Sequence, residues 1–157
     1  MTNKISTNKH GFTIIEVVLV LAIAGLIFLM VFVALPALQR SQRDTQRRND
    51  MARMATALTN WQTNHSGGLP TTTDNVTSFR TSYVVDGLND PDGAAYNIQV
   101  PVAGNASTAM PSTVDHKVYI YTGVRCDGDK LAVRSGNNNF AIIYKLEGAG
   151  VSCTDNN

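Results

Sequence analysis

The sequence predicts an α+β protein in which one long N-terminal α-helix packs on a small antiparallel β-sheet head. Three observations carry that expectation. From Phe12 to Leu38 the only ionisable side chain is Glu16. Beyond it, Met51, Met54, Ala55, Leu58 and Trp61 recur at three- and four-residue spacing, an apolar stripe whose opposite face is Arg, Gln, Asn and Asp. Near the C-terminus, three short segments of strand composition lie between turn-forming clusters.

Residues 1–11 form a short polar stretch with Lys4 and Lys9 and no acid, which reads as a cytoplasmic leader. Residues 12–39 are apolar enough to cross a membrane, since about 20 residues at 1.5 Å each span the hydrocarbon layer. Gly25 and Pro36 interrupt this run singly, as membrane helices tolerate, and are the places where the helix can loosen. Residues 40–65 continue the same helix as its amphipathic half. One helix therefore runs from about Thr13 to about Asn64, and Gly67, Gly68 and Pro70 end it. A head of about 90 residues, typical of a small domain, cannot cover the first half, which must bury itself in something else.

The head spans residues 66–157. Residues 66–116 read as loop, with extended pieces at Tyr83–Val85 and Tyr96–Val100 and a turn at Asn89-Asp90-Pro91-Asp92-Gly93. Val118–Val124, Lys130–Arg134 and Phe140–Leu146 predict an antiparallel meander within residues 117–146. Val118, Ile120, Phe140, Ile142, Tyr144 and Leu146 alternate toward one face, which should meet the stripe of Met51 to Trp61. In the C-terminal segment, Cys153 with Cys126 is too widely spaced for a redox CxxC pair or a zinc knuckle. An exported disulfide is the reading, contributing about 3–4 kcal/mol in the chain-entropy model; two buried free thiols are the alternative.

Charge divides unevenly along the chain. The formal net charge is +1. Arg40, Arg43, Arg47, Arg48 and Arg53 against Asp44 and Asp50 make the second half of the helix basic, while from Ser66 onward six basic residues oppose nine acidic ones. Arg40, Arg43, Arg47 and Arg48 are therefore candidates for contacts with acids of another subunit, with lipid phosphate or with DNA. Catalysis is not indicated. His10, His65 and His116 are scattered, and no GxSxG, HExxH or phosphate-loop pattern occurs. No cofactor and no metal are called, because the acids at Asp86 to Asp92 and at Asp127 with Asp129 match no complete calcium loop. An ordinary secretory signal is excluded by the length of the apolar run and the lack of a small-x-small cleavage site.

The segment Lys9-His10-Gly11-Phe12-Thr13-Ile14-Ile15-Glu16-Val17 resembles the type III signal of type IV prepilins. The resemblance implies the type IV pilin fold, cleavage by prepilin peptidase after Gly11, and N-methylation of the new terminus at Phe12. It also implies assembly in which Glu16, fifth after Gly11, meets the amine of Phe12 in a neighbouring subunit. A carboxylate within a membrane helix costs roughly 2.5–3.5 kcal/mol on insertion scales, so Glu16 needs such a partner. The implied partners are identical subunits in a homopolymer, the peptidase and assembly machinery, and membrane lipid before assembly; a host surface or DNA is a further candidate. The implied life history is a cytoplasmic-membrane precursor followed by an extracellular pilus serving adhesion, twitching motility or DNA uptake. A minor or competence pilin, a type II secretion pseudopilin, and a single-pass anchored binding domain are the alternatives. This chain departs from the family in having Val33 where a proline is common, with Pro36 three residues later.

Overall fold

A computed structural model describes residues 11–84, 88–103, 113–128, 130–136, 138–148 and 150–156. Leader residues 1–10, Asp86 and Asp129 lie outside the described residues. Helix α1 is a single element, Ile14–Asn64, with Pro36 inside it. The chain forms two compact units, one ending at Gln39 and the other beginning at Arg40.

In the first unit every large apolar side chain from Phe12 to Leu38 is exposed, from Val31 at 44% to Phe12 at 90%. A helix this long and apolar can cross a membrane. Among the described residues of this unit, nothing removes that surface from water.

The second unit begins on the amphipathic half of α1. Met51, Met54, Ala55, Leu58 and Trp61 are buried, and they share one core with Val118, Ile120, Phe140, Ile142, Tyr144 and Leu146. The predicted stripe and the predicted sheet face do meet. The helix ends where Ser66 and Gly67 take positive φ of 54° and 84°, which lets the Gly67 N–H reach the Gln62 carbonyl at 2.7 Å. A Cβ on Gly67 would come within 2.8 Å of the Asn138 side chain, so the turn needs glycine for space as well as for φ.

The described part of residues 66–116 holds a helix where the sequence reads as loop. Helix α2, Thr73–Tyr83, is capped by Thr72, whose hydroxyl accepts the Asn75 N–H at 3.2 Å. Val76 and Phe79 are buried, and Tyr83 packs against the same core. Phe79 and Tyr83 both lie within aromatic contact of Trp61, at 6.0 and 5.3 Å between ring centroids. The Tyr83–Val85 piece read as extended is therefore the end of a helix, with Val85 outside the described residues. Its Thr- and Ser-rich composition hid a stripe at i, i+3 and i+7.

Among the described residues six strands follow: β1 Asn97–Ala103, β2 Lys117–Thr122, β3 Val124–Asp127, β4 Lys130–Val133, β5 Phe140–Lys145 and β6 Val151–Asp155. They make a four-stranded sheet in the order β1-β2-β5-β6, with β1 parallel to β2 and the other pairs antiparallel, and a separate hairpin β3-β4. The head is thus largely antiparallel, but the meander is corrected. Gly123, at φ 69°, turns the chain out of β2, and its N–H and carbonyl are held by the Asn139 carbonyl and the Arg134 N–H. Strand β5 then pairs directly with β2, while the hairpin lays Val124 and Leu131 over Tyr121, Ala141 and Ile143 on the other sheet face. Phe140-Ala141-Ile142-Ile143-Tyr144 is buried at every position, the mark of a strand covered on both sides. A disulfide joins Cys126 of the hairpin to Cys153 of β6.

Candidate functional site

At the N-terminal junction, Gly11 and Phe12 are exposed, and a Cβ at Gly11 would meet nothing within 4 Å. Glu16 folds back on the helix start. Its Oε2 accepts the Thr13 N–H and the Thr13 hydroxyl, each at 2.8 Å, while the Glu16 N–H donates to the Thr13 hydroxyl at 3.4 Å. This is a capping box, in which residues three apart satisfy each other's free donors at a helix N-terminus. The pattern Thr13-x-x-Glu16 is the sequence signal for this cap. Helix α1 passes through Gly25 and Pro36 without a break.

The second site lies at the start of the second unit and was not foreseen. Arg47 is fully buried. Its Nε and Nη2 donate to the two carboxylate oxygens of Asp90 at 2.7 and 2.6 Å, a bidentate pair, and its Nη1 reaches Asp44 at 3.0 Å and Glu147 at 2.8 Å. Arg43 makes a second bidentate pair with Glu147, at 2.9 and 2.6 Å. Asp44 accepts the backbone N–H groups of Glu147 and Gly148 at 2.9 and 2.8 Å. The Tyr144 hydroxyl donates to Asp90 at 2.6 Å, and the Tyr96 hydroxyl donates to Asp50 at 3.1 Å. One cluster therefore ties α1 to the Asp90–Gly93 turn and to the connection after β5.

The arrangement fixes the charge states. Despite burial, the Arg47 guanidinium and the Tyr144 hydroxyl hold Asp90 down to about 2 from 3.8. Arg43, then Arg47, bring Glu147 down to about 2 from 4.5. Asp90 keeps Arg47 charged, with its pKa raised. Burial pushes Asp50 upward and raises both Tyr96 and Tyr144. Depressed carboxylates contribute stability above their unfolded values that is lost as pH falls through the folded ones. For Asp90 this is about 2 kcal/mol, lost between about pH 4 and pH 2 together with the Glu147 contribution; Asp50 acts in the opposite sense. The thermal midpoint of the full chain in detergent, read by Trp61 fluorescence, should fall steeply across that window. A midpoint unchanged at pH 2 would contradict this ionic account.

The predicted external contacts of the arginines are revised accordingly. Arg47 is enclosed and Arg43 is engaged within the subunit, while Arg40 and Arg48 are exposed. The expectation that a basic stalk segment seeks acids of another copy weakens, because Asp90 and Glu147 already supply two of them from the same chain. Asp90, Asp92 and His116 place ligand atoms within 4.8 Å of one another. Both Asp90 oxygens, however, already accept bonds from Arg47, and Oδ2 also accepts the Tyr144 hydroxyl, so a cation there would compete with a guanidinium for the same oxygens. The signal for the cluster was positional. Asp44 and Arg47 extend the buried series Met51, Met54, Leu58 and Trp61 at helical spacing, which places charges in line with the core.

Residues 6–32 match the family model described as the prokaryotic N-terminal methylation motif. Neither a curated protein nor a solved structure matches the chain. The matched segment contains Gly11, Phe12, Thr13 and Glu16, and it opens the long apolar helix of the first unit. It is the type IV prepilin signal, and together with a long helix packed on a small, mostly antiparallel sheet it supports a type IV pilin-like family.

Proposed function

We propose that the chain is a non-enzymatic structural subunit of an extracellular type IV pilus. It waits in the cytoplasmic membrane, is cleaved by prepilin peptidase after Gly11, is methylated at Phe12, and assembles with identical copies through α1. The observation that carries this reading is the pairing of the methylation motif with an apolar half-helix that its own unit leaves uncovered. Lipid covers that surface before assembly, and neighbouring helices cover it afterwards. Twitching, adhesion to a host surface and DNA uptake are the roles such a filament would serve.

N-terminal sequencing of material sheared from cells tests the reading. A methylated Phe12 start is expected, and an intact Met1 on an unassembled membrane protein would favour an anchored binding domain instead. Gly11→Leu should block the cleavage, because a side chain at that position obstructs the close approach of the protease to the backbone. A shortened chain from that variant would move the cleavage site elsewhere. Within the class, the Asp90-Pro91-Asp92-Gly93 turn followed by Tyr96 resembles one in type II secretion pseudopilins, whereas the paired Cys126 and Cys153 resemble those of pilins. Abundant surface filaments favour the pilus, and dependence of protein export on this chain favours the pseudopilin.

A further inference from the structure

The cluster around Arg47 poses a question that stability alone does not answer. Buried ion networks are often no more stabilising than apolar side chains of the same volume. This one nevertheless holds five charged groups, Arg43, Asp44, Arg47, Asp90 and Glu147, at the first place where α1 is tied to the rest of its unit. Among the described residues, no side chain from Arg40 to Gln42 makes a polar contact outside α1, whereas Arg43, Asp44 and Arg47 all do. Among the described residues, the buried apolar core takes its first side chain from α1 at Met51. A pull that enters the unit along α1 therefore meets the ionic cluster before it meets the core.

We propose that Arg43, Asp44 and Arg47, gripped by Asp90 and Glu147, form a mechanical latch that takes up traction arriving along α1 and spreads it into the sheet. The chemistry suits that task. The two bidentate guanidinium–carboxylate pairs are short and directional, so a small displacement breaks several bonds at once. Apolar contacts, each only a shallow attraction, resist a sliding helix less sharply. The latch also distributes force. Asp44 holds two consecutive backbone N–H groups after β5, and Asp90 is bonded to Tyr144 within β5, so strain passes into the strand that lies between β2 and β6. Gly148 allows the close approach, since a Cβ there would stand 3.1 Å from Asp44 Oδ2. The proposal rests on the filament reading for the source of the traction.

Single-molecule pulling of the full chain in detergent micelles tests it. One handle is placed at the C-terminus and the other either at the N-terminus or at Thr71→Cys, an exposed position past the end of α1. Described cysteines are all disulfide-bonded, so the new thiol is unique. Glu147→Gln, which keeps volume and removes one anion, should speed rupture about tenfold in the N-terminal geometry and leave it within about twofold in the Thr71 geometry. Arg43→Gln should repeat the asymmetry if Glu147→Gln folds poorly. Equal acceleration in both geometries would make the cluster an ordinary stabilising element and overturn the latch, as would no acceleration in either. Loss of the filament reading would show as absent filaments, and it would leave the rupture asymmetry untouched.

Discussion

Replacing Arg47 by alanine is expected to cost the head about 3–5 kcal/mol, against the 5–15 kcal/mol that typically holds a small domain together. The reason is what remains behind. Asp90 has 2% of its surface exposed and Asp44 has 6%, and without the guanidinium their carboxylates stay buried with the bidentate Asp90 partner and the Asp44 contact at 3.0 Å both gone. Arg47→Lys should fare little better, because one ammonium cannot reproduce the fork that reaches Asp90 twice and Asp44 and Glu147 once each. Arg43→Ala should cost much less, since that pair is partly open to solvent. Urea unfolding followed by the single tryptophan, Trp61, measures all three. If Arg47→Ala proves no more costly than Arg43→Ala, the cluster is not a buried network in solution.

The contrast between these two arginines shows where the sequence could be read and where it could not. Composition gave both the same character, charged residues on a helix just past an apolar span. Only the phase of the helix separates them. Position 47 falls in line with Met51, Met54 and Leu58, whereas Arg43 lies at the edge of that line and stays partly exposed. The long helix, its burial stripe and the facing strand residues were legible because each obeys a period. Helix α2 was not, because threonine and serine dominate it and only Val76, Phe79 and Tyr83 carry its pattern. The hairpin β3-β4 escaped for a different reason. Pairing partners are chosen by which faces need cover, and the demand came from Tyr121, Ala141 and Ile143 on a sheet face that alternation toward α1 had left out of account.

Glu16→Ala is expected to leave cleavage after Gly11 intact and to abolish filaments. Two different physical effects stand behind that loss, and the capping box separates them. In the free subunit Glu16 accepts the Thr13 N–H and hydroxyl and so stabilises the helix start. In the assembled state the same carboxylate is proposed to turn to the amine of Phe12 in the next subunit. There it would offset the roughly 2.5–3.5 kcal/mol that a charge costs within a membrane-like interior. Glu16→Gln distinguishes the roles, since glutamine can complete a capping box but carries no charge. If the ion pair governs assembly, Glu16→Gln should fail as Glu16→Ala does, while helicity at the N-terminal end, followed by backbone amide exchange in micelles, stays close to that of the native chain. Sheared filaments from Glu16→Gln at the native level would show that the cap is the working part. The carboxylate would then be a helix-start residue placed by chance at the fifth position after Gly11.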